Sequence, residues 1–268
     1  MITVKNVDYE IVRNESFWDF KGYSDAVDSW PFMASPYPMM AITCSYLLFV
    51  LKIGPAFMKN RQPYHLRNII VAYNFCQVGV SVYVVYLACK LQIPHGWISK
   101  TCLMEREDTR NEIMQLMYYY FLRKISELSD TIFFVLRKKN NQASFLHVYH
   151  HSMMVVTAWG ILKYEPTYPS VFLRNINSLV HVIMYLYYGL SSFPSLAKYL
   201  WWKKYITSLQ LIQFLLIILH LSLTYVYSEC TPSFGLAVVI YGNALCMTVL
   251  FSRFYLETYK KKDVKKRE

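Results

Sequence analysis

Apolar residues in this chain are gathered into long blocks that short basic loops separate. Seven blocks approach or exceed the ~20 residues that a helix needs to cross a bilayer: Ser35–Phe57, Arg67–Cys89, Asn111–Leu136, Ser144–Leu162, Pro169–Leu190, Tyr205–Tyr227 and Pro232–Tyr255. Backbone groups in lipid must be hydrogen-bonded within the segment, and these runs are too long for barrel strands. The pattern therefore predicts an all-α membrane protein with seven transmembrane helices.

Composition supports this class. Of the 268 residues, 55% are hydrophobic and 17% are aromatic, and a soluble core does not need uninterrupted apolar runs. The first block follows a polar, largely acidic stretch, unlike the short basic start of a secretory signal. We divide the chain into an N-terminal segment (1–34), one membrane domain (35–255) and a basic tail (256–268).

Lysine and arginine are distributed unevenly over the loops. Seventeen of the 28 would lie on one side of the bilayer and nine, among them Lys163 and Arg174, on the other, while Arg123 and Lys124 fall inside the third block. The richer side is expected to be cytosolic, which places the N-terminus in the lumen and the C-terminus in the cytosol. The net charge of +11 thus reflects orientation in a bilayer, and we expect no nucleic-acid partner.

Two short motifs agree with that orientation. Asn14-Glu15-Ser16 is a glycosylation sequon, which is usable only in the lumen. Lys265 and Lys266 resemble a cytosolic dilysine signal for retrieval to the endoplasmic reticulum. A basic tail attracted to anionic lipid is the alternative interpretation of these lysines.

The six cysteines show no CxxC spacing, so we expect no zinc site. Cys102 and Cys230 both fall in predicted luminal loops, where the redox conditions permit a disulfide. We predict that these two pair. The other four lie within or at the ends of the apolar blocks, where cysteine is usually a small hydrophobic residue.

Ionisable residues inside spans are costly, and each is therefore a candidate for function. One face of the third helix, an arc of about 120°, carries Lys124, Glu127, Asp130 and Thr131. The fourth block opens with three histidines on one face: His147, His150 and His151. An ion pair that only fixes helix packing is the alternative for the first group.

The fifth and sixth blocks add polar stripes. They are formed by Asn177, His181, Met184, Tyr185 and Tyr188, and by Thr207, Gln210 and Gln213. Glutamines can simply hold helices together. However, the groups from several helices share the cytosolic half of the predicted bundle. We therefore expect a polar chamber that opens to the cytosol, as an active site requires.

Four motifs together resemble the signature boxes of the ELO family of very-long-chain fatty acid elongases. They are Lys124-x-x-Glu127-x-x-Asp130-Thr131, His147-x-x-His150-His151, His181-x-x-Met184-Tyr185-x-Tyr187-Tyr188 and Thr207-x-x-Gln210-x-x-Gln213, and they follow the family order. The resemblance implies condensation of acyl-CoA with malonyl-CoA to 3-oxoacyl-CoA, CoA and carbon dioxide in the endoplasmic reticulum. It also implies six helices around an acyl tunnel with the first helix peripheral.

The resemblance also implies partner enzymes. The protein would act together with the ketoacyl-CoA reductase, dehydratase and enoyl-CoA reductase that complete the elongation cycle. Family members often associate, so homo- and hetero-oligomers both stay open. We expect no bound cofactor.

No cysteine lies near the histidine box, so imidazole is the available nucleophile for a thioester. We expect His150 to form an acyl-imidazole; the choice among the three histidines follows the resemblance. His181 would position or protonate the second substrate, and His147 and His151 would orient the nucleophile or complete the oxyanion donors. Either acid, Glu127 or Asp130, would fix the imidazole tautomer, with Lys124 balancing the charge.

Substrate binding is expected at two places. Basic loop residues suit the CoA phosphates, although orientation in the membrane explains them equally well: Arg137, Lys138, Lys139, Lys203 and Lys204. Polar residues of the fifth and sixth spans would line the chamber: Asn177, Tyr185, Tyr188, Thr207, Gln210 and Gln213. From there the acyl chain would run towards the lumen.

Two other classes share some of these features. A membrane di-iron desaturase or hydroxylase also uses an HxxHH box, but iron needs many nitrogen ligands and this chain has seven histidines and one box. A seven-helix receptor or transporter would fit the helix count. The chamber is expected to face the cytosol, however, and the repeats and broken helices typical of transporters are not seen.

Overall fold

The structure, a computed structural model, describes residues 20–260. Asn14, Lys265 and Lys266 lie outside the described residues, so the sequon and the retrieval signal stay predictions. Within residues 20–260 every regular element is a helix and no strand is present. The predicted all-α class is confirmed for this range.

Residues 20–260 include seven long helices: α1 (Pro36–Met58), α2 (Arg67–His95), α3 (Glu107–Leu136), α4 (Phe145–Tyr164), α5 (Pro169–Ser191), α6 (Lys203–Tyr227) and α7 (Phe234–Tyr255). Shorter elements lie beside them: helices Asp25–Asp28 and Pro194–Ala197, a 3-10 turn Leu103–Glu105, and a π-helical turn Leu256–Lys260 that extends α7.

Four of these helices in the described range are long and apolar enough to cross a membrane: α1, α2, α6 and α7. The interior of the bundle holds buried charges, whereas many large apolar side chains lie on its outer surface, such as Leu51, Tyr86, Ile93, Phe145, Val226 and Phe234. Soluble proteins rarely expose so much contiguous apolar surface. The arrangement is that of a multi-pass membrane protein.

The helix contacts close a ring. α2 packs along α5 and against α3, α3 packs against α4, α7 joins α4 to α6, and α6 returns to α5. α1 packs from outside on α3 and α4. Successive helices alternate in direction, so the bundle has two ends. We call them the disulfide end (loops 96–106, 165–168 and 228–233) and the basic end (loops 59–66, 137–144 and 192–202).

α1 approaches α3 closely at a glycine. A Cβ on Gly54 would lie 2.7 Å from Cγ1 of Val135, so a larger residue could not occupy this position without a shift of one helix. Farther along the same contact, the hydroxyl groups of Tyr46 and Thr131 share a 2.7 Å hydrogen bond. The outer helix is therefore fixed against the helix that carries most of the buried charges.

The predicted disulfide between Cys102 and Cys230 is present at the disulfide end, with the two Cα atoms 5.2 Å apart. The same loops are joined by a hydrogen bond from the Ser228 hydroxyl to the Ser99 carbonyl, at 2.7 Å. The connection from α2 to α3 is thereby tied to the connection from α6 to α7.

An N-terminal strap, residues 20–34, covers the disulfide end of α4. Lys163 is fully buried beneath it, and its Nζ donates to Asp28 Oδ1 at 2.6 Å and to the Met33 carbonyl at 2.8 Å. A Cβ on Gly22 would lie 2.5 Å from the Lys163 carbonyl oxygen, so the strap needs glycine there. From its sequence position, Lys163 was expected to be a loop charge that orients the chain in the bilayer. It is instead a buried residue that holds the strap against α4.

Candidate active site

Helix α3 carries the charged centre of the bundle. Lys124 Nζ donates to Glu127 Oε2 at 2.8 Å, and Arg123 Nε lies 3.1 Å from Glu127 Oε1. All three side chains are almost completely buried. The spacing places both cations within one turn of the carboxylate, on the same side of the helix. One carboxylate is therefore held between two cations.

His181 of α5 joins this centre through both ring nitrogens. Its Nδ1 lies 2.8 Å from the Asn177 carbonyl oxygen, which can only accept, so Nδ1 carries the proton. Its Nε2 is then an acceptor and lies 3.4 Å from Lys124 Nζ. The same Nε2 lies 3.5 Å from Glu127 Oε2. His181 is thus fixed in one tautomer and one orientation.

Asn177 and Arg123 together link three helices. Asn177 Oδ1 accepts from the Tyr120 hydroxyl at 3.0 Å and from the Arg123 guanidinium at 3.1 Å. Arg123 also donates to the Ser81 hydroxyl of α2 at 3.2 Å. This hydrogen-bonded network makes the α2–α3–α5 contact a rigid wall.

The histidine box begins α4. Ser144 caps the helix by accepting from the His147 backbone N–H at 3.3 Å. The ring of His151 lies 4.3 Å from that of His147 and 5.4 Å from that of His150. Neither His147 Nε2 nor His150 Nδ1, both enclosed, has a hydrogen-bond partner among residues 20–260. The charges of Lys124 and Glu127 lie close enough to act on the His150 ring.

A narrow cavity of about 90 Å³ lies inside the ring, between α3, α4, α5, α6 and α7. Four polar side chains line part of it: Tyr120, His150, Arg174 and Asn177. The rest of the wall is mainly apolar and includes Met154, Ile161, Leu173, Phe214, Ile217 and Ile240. The cavity therefore places a histidine at the border of a narrow, mainly apolar space.

The remaining signature residues of α3 and α5 contact one another. Tyr185 donates to Asp130 Oδ2 at 2.6 Å, so this carboxylate is bonded to a tyrosine rather than to the histidine box. The Tyr188 ring lies 6.2 Å from that of Tyr185, and 38% of Tyr188 is exposed. Asp130 and Tyr185 belong to the buried network, while Tyr188 lies at its edge.

The α6 motif forms no hydrogen bond to the charged centre within the described part of the chain. Thr207 is buried, and Gln213 is buried with its Oε1 lacking a described partner. Gln210 Nε2 lies 3.6 Å from Met184 Sδ. Gln213 directly precedes Phe214, which lines the cavity.

The basic residues predicted to bind CoA phosphates all lie at the basic end. Lys139, Lys203 and Lys204 are exposed, and Arg137 is half-buried. Lys138 is exposed and donates to the Lys59 carbonyl at 3.3 Å. They surround the end of the bundle nearer the histidine box, and none of them lines the cavity.

Three cavity and network residues were missed from the sequence. Tyr120 is surrounded by the cations of Arg123, Lys124 and Arg174, at 4.9, 5.0 and 5.4 Å from its ring centroid. Arg123 could have been found, because it is a charge inside a predicted span. Arg174 lies near a helix end, where an arginine normally indicates orientation, and only the structure shows that it is 3% exposed.

Comparison with known proteins defines the class to which this fold and site belong. The profile of the GNS1/SUR4 family, ELO, matches residues 31–267. The chain therefore belongs to this family.

Particular relatives are similar over most of their length. The chain is 40% identical over 245 residues to very long chain fatty acid elongase 1 of Homo sapiens, covering 88% of this chain and 86% of the relative. It is 38% identical over 246 residues to elongase 4 of Homo sapiens, covering 91% and 78%. It is 40% identical over 244 residues to elongase 2 of Mus musculus, covering 90% and 82%.

Proposed function

We propose that this chain is a fatty acid elongase that condenses an acyl-CoA with malonyl-CoA, giving 3-oxoacyl-CoA, carbon dioxide and CoA. Family membership and the names of the relatives support the class of reaction. One observation carries the assignment of the reactive group: His150 lines the apolar cavity and its Nδ1 has no partner in the described residues, whereas both nitrogens of His181 are engaged.

In the first half-reaction a ring nitrogen of His150 attacks the thioester carbonyl carbon. The C–S bond breaks, the imidazole loses its N–H proton, and CoA leaves as the thiol, so that an acyl-imidazole remains. Neutral imidazole is the form that attacks.

In the second half-reaction malonyl-CoA loses carbon dioxide, and the electron pair of the broken C–C bond forms an enolate. The enolate carbon attacks the acyl carbon and the C–N bond breaks. The released imidazole nitrogen takes up one proton from solvent, replacing the one that left with the CoA thiol, and His150 is regenerated. The developing negative charge needs nearby positive groups in a site that excludes water. Lys124 and Arg123, held in place by Glu127 and Asn177, are suited to supply this positive potential.

The membrane arrangement follows from the same proposal. All seven helices cross the endoplasmic reticulum membrane, with the N-terminus luminal and the C-terminus cytosolic. Six helices surround an acyl tunnel and α1 stands outside it, an arrangement that the ring of helix contacts supports. The Cys102–Cys230 disulfide supports an oxidising lumen at its end of the bundle.

Substrates then approach from the basic end. The CoA phosphates meet the exposed cations of that end, among them Lys139, Lys203 and Lys204, while the acyl chain extends into the cavity. The reductases and dehydratase of the cycle are the expected partners, and the chain's own step needs no bound cofactor.

The assay that tests the function uses microsomes that contain this chain, with carbon-labelled malonyl-CoA and a long acyl-CoA but no NADPH. Without a reductant the labelled 3-oxo product should accumulate, and carbon dioxide release should depend on the acyl-CoA. Membranes without the chain provide the background. Malonyl-CoA consumption at background level would contradict the proposed function.

The di-iron alternative differs in its ligand requirement, because each iron needs several nitrogen donors. In the described range, the one group of three donor atoms found within 4.8 Å of one another is that of Cys102, Glu105 and Cys230, whose sulfurs form the disulfide. Stoichiometric iron in the purified protein, together with oxygen-dependent desaturation, would favour the alternative.

A further inference from the structure

Arg174 is a buried cation that the proposed reaction does not use. It lines the cavity, and its guanidinium donates to the Ser170 carbonyl at 2.8 Å and lies 5.4 Å from the Tyr120 ring centroid. Its Nε is enclosed and has no hydrogen-bond partner in the described range. No described carboxylate forms an ion pair with it within 4.0 Å; the buried pairs of this region belong to Arg123 and Lys124.

Charges around the Tyr120 ring do not balance. Arg123, Lys124 and Arg174 surround the ring, while the Glu127 carboxylate is shared by the first two of these cations. A buried charge without a partner is strongly unfavourable. Since Arg174 also borders the cavity, a group that enters the cavity could supply the missing acceptor.

The depth of Arg174 indicates which part of a substrate it would meet. In the proposed reaction His150 carries the acyl carbonyl, and His181 lies close enough to act on the His150 ring, so His181 marks the depth of that carbonyl. Arg174 and His181 are seven residues apart on α5, or about 10 Å along the axis. Both side chains bond to the carbonyl one turn back, so this offset applies to the side chains as well. Tetrahedral C–C bonds of about 1.5 Å advance an extended chain by roughly 1.3 Å per carbon, so the offset corresponds to about eight carbons.

The guanidinium determines the chemistry of the complementary group. Arginine donates hydrogen bonds and accepts none, so its partner must be an acceptor. A saturated hydrocarbon chain offers neither an acceptor nor a negative charge. Asn243 of α7 also lines this cavity and adds an amide to an otherwise apolar side of the wall.

We propose that Arg174 is a specificity-determining residue for acyl-CoAs whose chain carries a hydrogen-bond-accepting oxygen about eight carbons beyond the thioester carbonyl. The oxygen is a hydroxyl within the chain or a terminal carboxylate. The assignment rests on the proposed function, because the cavity has to hold the acyl chain for Arg174 to meet it.

The experiment uses the full chain in lipid nanodiscs and compares elongation of matched thioesters. Stearoyl-CoA is compared with 10-hydroxystearoyl-CoA, and decanoyl-CoA with the mono-CoA thioester of decanedioic acid. The wild type should favour at least one oxygenated member of these pairs by about tenfold in kcat/KM, because a site built to bond an oxygen discriminates against its absence. The pair that shows the preference distinguishes a neutral oxygen from an anionic one.

Arg174→Met should bring that ratio close to one, and the exposed Arg106→Met should leave it unchanged. An equal ratio in the wild type and Arg174→Met would overturn the assignment. So would a wild type that favours neither oxygenated thioester, and this result does not depend on whether the variant folds.

Thioether analogues of the same four compounds separate this assignment from the proposed function, because they bind without acylating. Thermal stabilisation of the wild type by the oxygenated thioethers should exceed that by the plain ones. If the wild type elongates nothing, the proposed function fails, while equal stabilisation within each pair overturns the role of Arg174.

Discussion

Two buried lysines, Lys163 and Lys124, show what distinguishes a structural charge from a reactive site. Lys163 donates to Asp28 Oδ1 at 2.6 Å and to the carbonyls of Met33 and Ala34 at 2.8 and 3.4 Å. Its three N–H groups can therefore all be satisfied by the strap. Lys163 does not line the cavity, and its ammonium group has an acceptor for each of its N–H groups.

Lys124 is equally buried, but polar groups near it lack hydrogen-bond partners in the described part of the chain. It contacts Glu127 and the ring nitrogen of His181, and its charge acts on His150 of the histidine box, which holds nitrogens without described partners. The cavity adjoins this region. Burial of a charge is thus common to both regions, whereas unsatisfied groups beside a space for a ligand occur only in the second of these two.

The largest effect should follow from replacing His150. His150→Gln should reduce elongation by at least about 10³-fold, because removal of a nucleophile costs more than any positioning change. Its unfolding temperature should change by only a few degrees, since Nδ1 of His150 has no hydrogen-bond partner in the described part of the chain. Steady-state elongation and thermal unfolding in detergent measure the two effects.

His220 provides the matched control. It is also buried, with an Nδ1 that has no partner among residues 20–260, but its Nε2 bonds to the Trp97 carbonyl at 2.9 Å and it does not line the cavity. His220→Gln should keep elongation per folded molecule within about threefold of the wild type, as substitutions away from a reactive centre usually do. Similar losses of elongation in both variants would show that a position beside the cavity does not distinguish His150 from His220.

Glu127→Gln should give the next effect, on stability as well as on activity. The substitution leaves Arg123 and Lys124 buried without their carboxylate, which is expected to cost about 3–5 kcal/mol. Thermal or denaturant unfolding in detergent measures the loss. An unfolding midpoint equal to that of the wild type would show that Glu127 is not charged in the folded protein.

Lys163→Met should reduce stability but leave elongation per folded molecule unchanged. We expect a loss of about 2–3 kcal/mol, less than for Glu127, because the abandoned Asp28 carboxylate is 20% exposed and water can reach it. Unfolding and elongation assays on the same preparation separate the two quantities. A drop in kcat at full folding would mean that the strap also controls the reaction.

The smallest effect is expected at the basic end. The double substitution Lys203→Gln and Lys204→Gln should raise KM for acyl-CoA by about two- to fivefold and leave kcat unchanged, because exposed cations contribute little per charge. The effect should fade at high salt. A control pair at the other end, Lys100→Gln and Arg106→Gln, should leave KM unaltered.

The sequence could indicate most of the charged centre, because ionisable residues inside spans are rare enough to stand out. Lys124, Glu127, Asp130 and His181 were recognised in this way and do share one buried region. The disulfide could be predicted because alternating helix directions place both cysteines at one end of the bundle.

Other positions needed the structure. Arg174 and Lys163 lie near helix ends, where a basic residue has the same sequence signature whether it faces water or turns inward. Tyr188 follows the stripe of α5 but falls in the last turn, and 38% of it is exposed. Side-chain direction at helix ends depends on neighbouring elements, such as the strap, that periodicity does not reveal.

The central claim is that His150 carries the acyl group between the two half-reactions. Purified chain incubated with acyl-CoA alone should release one CoA per molecule and gain the mass of one acyl group, which peptide mass spectrometry should locate on His150. A chain that elongates acyl-CoA with malonyl-CoA but releases no CoA in its absence, or that carries the acyl group on another residue, would contradict the account.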